Sequence, residues 1–489
     1  MRNSPVFFGT LVAFLSFLFC NSKVFAGDIE WSGNYRIEGN QINNSEMRGS
    51  NKRELAYGLS HFVLRPKIVA GDGFTIFGQF DMFNSSTEAN SQMGQVFGSG
   101  IGAATQPITQ PAAGPATSNS LSRTQKAESL EITQLYLTYN HEYGQLIAGR
   151  APLQFGLGMT YNAGRGLFDH WYDTRDLVGY KFVVGNLYFL PMLGKPAESN
   201  VGTTDDVDDY MIQVQYENPD TDLEMGVFYR LRKGGDQASD APVFGAGEMG
   251  GVGADNLTSI NSKIVNLYAL RDAPTFRAGL EASFMSGENG LRTAGGEKVT
   301  WSGFGIAGEF EYRPDASSWK WGLKAGTATG DDPATDAKFE GFSFNRNYDV
   351  AMLLFNHVLG AEDYFRTRST VTGATRDVNG NIIRGDVEAL SNVIYVAPSA
   401  RYGFGEKWML ENRLVAGWLG NNPIAGKTIS KDIGYEWDIG LTFTPRKGVQ
   451  WVNEFGLLLP GAMWKGSSGA TDNDNKPVYG MTTKAAISF

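Results

Sequence analysis

Charged and aromatic side chains concentrate in two ways along this 489-residue chain. The first is a short run: Arg150, then Gly164-Arg165, then Asp169, His170, Trp171, Tyr172, Asp173, Thr174, Arg175 and Asp176. Arg150, Arg165 and Arg175 facing Asp169, Asp173 and Asp176 across a narrow gap would create a transverse field that sorts solutes by charge. On an exposed loop the same residues would make surface ion pairs worth about 1 kcal/mol or less each. Spacing alone leaves both readings open. The second is a recurrence at alternate positions of short segments. Arg36, Arg65, Lys67, Lys181, Arg230, Arg232, Arg277, Lys320, Lys324, Arg401, Arg413 and Lys484 stand there together with Asp81, Glu131, Glu217, Glu224, Glu281, Glu309, Glu311, Glu411, Glu436, Asp438 and Glu454. The two signs nearly balance, so these residues do not produce the single-sign field that steers a polyanion.

Catalytic chemistry finds little support. His61, His141, His170 and His357 are scattered without metal-ligand spacing, and no G-x-S-x-G elbow accompanies the loop-borne His170. Acidic clusters at Asp205-Asp206 with Asp208-Asp209, at Asp331-Asp332 with Asp336, and at Asp472 with Asp474 lack the spacing of a calcium-binding loop. No metal, cofactor or enzymatic activity is expected.

The elements that position these residues follow from patterning. Residues 1–26 read as a signal peptide: basic Arg2, an apolar run over 6–20, and Val24-Phe25-Ala26 before a cut at Gly27. Cleavage removes Cys20, the only cysteine, and leaves the remainder, 27–489, as a single domain without disulfides. It also removes Arg2 and Lys23, deepening a net charge of −10 and arguing against nucleic acid as a partner. Beyond the leader no window holds eighteen consecutive apolar residues, so a helical membrane protein is excluded.

What remains alternates. Ile29, Trp31, Gly33, Tyr35 and Ile37 oppose Glu30, Ser32, Asn34, Arg36 and Glu38; Ile433, Tyr435, Trp437, Ile439, Leu441 and Phe443 oppose Gly434, Glu436, Asp438, Gly440, Thr442 and Thr444. Successive side chains of a strand point to opposite faces, and about ten residues suffice for a tilted strand to cross a bilayer. Eighteen such segments are predicted, from 28–38 to 479–489, with sixteen to twenty allowed by the weak alternation of 145–152 and 187–192. Region 348–359 is apolar enough for a helix in the bore, a further strand pair or a β-structured loop. Short Gly-, Pro-, Asn- and Asp-containing turns alternate with long polar connections, the longest at 84–127 and 330–387. Trp408 and Trp418 share a face ten residues apart. That is about 33 Å along a strand and, tilted by roughly 40°, about 25 Å in height, the spacing of the two aromatic girdles of a membrane barrel. Trp31, Trp437 and Phe489 are candidates for the same lipid rim.

The last segment, 479–489 (YGMTTKAAISF), resembles the C-terminal strand of bacterial outer-membrane β-barrels, which ends in an aromatic residue read by the barrel-assembly machinery. Three further stretches resemble the alginate-export-like outer-membrane porins: 135–156 (LYLTYNHEYGQLIAGRAPLQFG), 325–332 (AGTATGDD) and 434–461 (GYEWDIGLTFTPRKGVQWVNEFGLLLPG). The resemblance implies a large all-β, antiparallel transmembrane barrel in the outer membrane of a Gram-negative bacterium, in contact with lipid and lipopolysaccharide. It would have short periplasmic turns, long extracellular loops and a lumen passing small hydrophilic solutes or oligosaccharides. In such a barrel 479–489 pairs with 29–38, Lys484 faces the lumen and Phe489 the lipid rim. Two alternatives stay open: a surface-interaction barrel with a plugged bore, and a polyanion exporter, which the balanced charges disfavour. Oligomeric state leaves no signature in the sequence.

Overall fold

The computed structural model of the protein describes residues 28–50, 52, 54–82, 95–96, 130–197, 207–234, 257–292, 296–332, 337–357, 359–360, 389–422, 428–465 and 475–489. The expected signal peptide, the acidic pair Asp472 and Asp474, and most of 84–127 and 361–387 lie outside them.

Eighteen long strands form one antiparallel sheet: β1 (Asp28–Asn43), β2 (Glu54–Gly71), β3 (Phe74–Met82), β4 (Leu130–His141), β5 (Gly144–Pro152), β6 (Thr174–Val184), β7 (Leu187–Ala197), β8 (Val207–Asn218), β9 (Leu223–Gly234), β10 (Leu257–Ala273), β11 (Phe276–Arg292), β12 (Phe304–Tyr312), β13 (Trp319–Ala328), β14 (Val393–Phe404), β15 (Trp408–Leu419), β16 (Asp432–Arg446), β17 (Val449–Pro460) and β18 (Val478–Ser488). Each strand pairs with its neighbours in sequence. The sheet closes where β18 pairs with β1, from Asn34 opposite Ser488 to Asn43 opposite Tyr479. Backbone hydrogen bonds of 3.0 Å in both directions between Gly33 and Phe489 extend that seam. Closure leaves no unpaired edge, which a backbone surrounded by lipid requires.

The expected eighteen-strand barrel is therefore present, including the poorly alternating β5 and β7. One expected segment, 299–312, is interrupted: Lys298–Trp301 is a short loop strand, paired in parallel with Lys338–Phe339, and β12 begins only at Phe304. Connections alternate between tight turns and long loops, and the start of β1 and the end of β18 both fall on the tight-turn side. At the first turn Gly71, Asp72 and Gly73 have φ of 82°, 48° and 84°. Three consecutive left-handed residues are a conformation glycine adopts without strain and aspartate tolerates.

The outer face is apolar. Ile29, Leu135, Leu280, Leu414, Trp321 and Met481 are each more than 40 % exposed there. A large apolar exterior on a closed wall is the surface that lipid covers. The inner face departs from the simple pattern of polar residues inward. Tyr395, Ala397, Val415, Ile433, Leu458 and Val478 are buried on it, packed against Tyr348, Val350, Leu353, Leu354 and Phe355 of the 337–357 segment. A second cluster joins Leu153, Phe155 and Tyr161 of the 153–173 loop to Leu177, Met211, Phe228 and Tyr268 on the opposite arc of the wall. Both loops thus fold into the barrel because the inner wall offers them apolar footing. The 348–357 stretch is neither a helix nor a strand pair; it is an irregular chain of turns inside the lumen.

Candidate functional site

Among the described residues, two inward loops and the wall they touch line the lumen. Wall carboxylates hold both loops through backbone N–H groups. The carboxylate of Glu281 accepts hydrogen bonds from Leu157 N at 2.7 Å, Met159 N at 3.2 Å and Thr160 N at 3.2 Å. Glu436 accepts from Leu353 N at 2.5 Å and Leu354 N at 2.7 Å, and its neighbour Asp438 accepts from Met352 N at 3.1 Å. Irregular backbone inside a barrel has donors without a ladder partner, and leaving them unpaired is costly. An ionised acceptor aimed at successive N–H groups satisfies them strongly. A third anchor links β1 to the 153–173 loop: Glu38 pairs with Arg36 at 2.9 Å and with His170 at 2.7 Å, while Arg36 donates to the Asp169 carbonyl.

The loops also bind one another. Asn347 Oδ1 accepts from His170 N at 3.2 Å and Trp171 N at 3.1 Å, and its amide donates to the Trp171 carbonyl at 2.6 Å. Asn345 N donates to the Met159 carbonyl at 2.6 Å, its side chain donates to Asp173 at 2.7 Å, and the Arg346 guanidinium lies 4.0 Å above the Trp171 ring. Burial in this junction pushes the carboxyls of Asp173 and Asp349 up to about 6, and pushes Asp169 upward as well. Burial also lowers the imidazole of His170, against the opposing pull of Glu38.

Charges that still face open lumen run along one arc. Glu309 pairs with Arg277 at 3.2 Å and Lys324 at 3.1 Å. Arg401 bridges Glu311 at 2.7 Å and Glu411 at 3.5 Å, Arg413 pairs with Glu411 at 2.9 Å, and Lys484 with Glu454 at 2.8 Å. Lys320 lies beside this ladder, in register with Arg401. Two strands beyond its β18 end, on β2, Arg65 donates to Asn34 at 2.8 Å and Gln79 at 2.9 Å, and Lys67 pairs with Glu30 at 2.9 Å near the tight-turn rim. A polar cavity of about 220 Å³ opens between loops and wall, lined by Glu38, His170, Lys324, Asp349, Arg413 and Lys484 among others.

Most of the expected lumen residues point inward by register, but they divide into two sets. Arg36, Glu281, Glu436 and Asp438 hold loops. Asp81 is consumed by His61 at 2.7 Å, Gln79 at 2.9 Å and Thr133, with Glu131 opposite it in register. Glu224 accepts from Tyr268. Arg230 and Arg232 lie under the 153–173 loop near Asp209.

Two expectations are corrected. Arg150 and Asp176 do not enter the lumen: Arg150 stands opposite the outward Leu135 and Asp176 opposite Arg150, so both point out of the barrel. There they form a bidentate pair of 2.7 and 2.9 Å with about half of each side chain exposed. The sequence of β5 alternates too weakly to fix its face, and the inward positions are Gln145, Ile147 and Gly149. Asp173 is a half-buried joint rather than a field-forming group, accepting from Asn162 N at 2.8 Å. Asp169 accepts from Gly166 N at 2.7 Å, Arg175 reaches Asp209 at 3.4 Å, and Arg165 is exposed, as Arg150 and Asp176 are.

On the outside, Trp31, Trp408, Trp418 and Phe489 stand exposed near strand ends. Trp437 is exposed too, but it pairs with Leu414, midway between Trp408 and Trp418, and so sits in the middle of the band rather than at a rim. Sequence reasoning missed Asn345, Asn347 and Asp349. Their crowding in the polar run 345–349 beside an apolar one was the available signal.

No family model matches the sequence, and no curated protein does. Solved structures similar in shape include Pseudomonas aeruginosa OccK5 (OpdH), at 10% identity over 94% of this chain and 98% of that one with a TM-score of 0.47. Pseudomonas aeruginosa OpdK with vanillate has the same identity, coverage and TM-score. The outer membrane channel DcaP of Acinetobacter baumannii is 12% identical over 96% of this chain and 99% of that one, with a TM-score of 0.44.

Proposed function

We propose that this chain is a porin of the Gram-negative outer membrane, through which small hydrophilic solutes or oligosaccharides diffuse passively. The observation that carries the reading is the loop-narrowed, charge-lined lumen inside a closed wall with an apolar exterior. Eighteen strands enclose more width than their own side chains fill, and the two anchored loops reduce that width to a polar passage. Paired charges of both signs along it favour small polar solutes over long polyanions. The kinship is with the alginate-export-like porins, supported by the stretches 135–156, 325–332 and 434–461, without the strongly basic lumen of a polyanion path. The same reading has the chain inserted by the barrel-assembly machinery, bordered by lipopolysaccharide, and without enzymatic activity.

Planar-bilayer recording of the purified barrel tests it. Stepwise conductance with weak ion selectivity is expected; a silent bilayer from folded, heat-modifiable protein would sink the proposal. Strong anion selectivity in reversal-potential measurements would instead favour polyanion export.

A further inference from the structure

Beneath the 153–173 loop, on the inner faces of β6, β8 and β9, two guanidiniums contact one carboxylate and a third stands beside them without an ion-pair partner among the described residues. Arg232 holds Asp209 in a bidentate pair of 2.7 and 2.8 Å. Arg175 approaches the same carboxylate at 3.4 Å from β6, crossing β7 over Gly194, where a Cβ would come within 2.9 Å of its Cγ. Arg230, two residues before Arg232 on the same face, is 8 % exposed, and its Nε has no hydrogen-bond partner. Among the described residues no carboxylate lies within ion-pair distance of it. Tyr161, packed on Phe228 at 4.8 Å between ring centroids, is 5 % exposed, and its hydroxyl has no partner either. Arg230, Asp209, Arg232 and Arg175 all act on it electrostatically. The other acid nearby, Asp173, is turned toward Asn162 and Asn345.

A guanidinium buried without a counter-charge is strongly unfavourable, and three around one carboxylate leave positive charge uncompensated. Arginine forks and a phenol hydroxyl are donors only toward an anion, and guanidinium geometry matches an oxyanion. Arg175 keeps 19 % of its side chain exposed and provides the approach. We propose that Arg175, Arg230, Arg232 and Tyr161 form a binding site for a single oxyanion, a carboxylate or phosphate group, held against the wall under the loop. This needs the barrel fold and not the channel activity.

Calorimetric titration of the detergent-solubilised full barrel with inorganic phosphate, with acetate and with neutral sucrose tests it. Wild type is expected to bind phosphate, acetate or both, and not sucrose; which anion binds identifies the source of the oxyanion. Arg230→Gln should lose about tenfold or more of that affinity, Arg230→Lys should restore part of it, and Lys181→Gln, an equal charge loss on β6 opposite the inward Gln145, should retain it. If Arg230→Gln fails to fold, Arg175→Gln at the exposed edge serves in its place. No anion binding by wild type, or equal losses in Arg230→Gln and Lys181→Gln, overturns the site. Conductance steps that persist in Arg230→Gln leave the porin reading standing when the site fails, and a silent wild-type barrel that still binds anion does the reverse.

Discussion

At the scale of single residues, the lumen's acids do two different jobs, and substitution separates them. Glu281 holds three loop N–H groups. Glu281→Ala leaves them unpaired in a crowded interior, which costs about 2–4 kcal/mol. A lower denaturant midpoint together with larger, noisier single-channel current is the expected result, whereas removing the ladder acid Glu311 should change ion selectivity more than stability. Asp173 gives a pH test. Its carboxyl is raised from an ordinary 3.8 to about 6 by burial. The folded state therefore holds that proton more tightly than the unfolded chain. The stability this contributes is fully present below the unfolded value and is lost as pH rises through about 6. Asp173→Asn keeps an acceptor for Asn162 and Asn345 without the buried charge. Thermal unfolding should show the variant gaining on wild type as pH rises from about 4 to 6, and more stable at pH 7; a constant offset across that range would refute the assignment.

At the scale of elements, strands were legible and loops were not. The period of two in β1 and β16 reports which face meets lipid, because the outer side of these strands is apolar and the contrast survives along the strand. Where loops cover the inner wall, inward positions become apolar too, as at Tyr395, Val415 and Ile433, and the contrast fades. The short β5 shows the consequence: with Leu146 and Ala148 outside and Ile147 inside, nothing marked Arg150 as outward. Glu436 and Asp438 read as pore charges for the same reason, since no pattern announces that a segment some 80 residues away will supply N–H donors. Glu436→Gln removes one acceptor from the Leu353–Leu354 turn. Loosening of the 348–357 segment should appear as faster amide exchange there, with β16 and β17 protected as before.

At the scale of the whole molecule, closure rests on a narrow seam. Gly33 lies against Phe489, and a Cβ on it would come within 2.8 Å of the Phe489 ring. Phe489 in turn stacks on Phe62 with ring centroids 6.1 Å apart. Gly33→Val should therefore disturb the join between first and last strands and reduce the fraction of heat-modifiable, closed barrel on gels, without altering strand content elsewhere.

The seam also orders events in time. Asn40 and Thr482, joined at 2.8 Å, are separated by 442 residues of chain, so the ring cannot be completed until the last strand has been made. Contacts that distant in sequence form slowly, because the entropy of closing the loop precedes any reward. Until then β1 exposes an unpaired edge, open to mispairing with another chain. The C-terminal strand is thus a checkpoint on completeness: a chain truncated before it retains two sticky margins and stays an aggregation-prone intermediate, whatever the quality of the strands already formed.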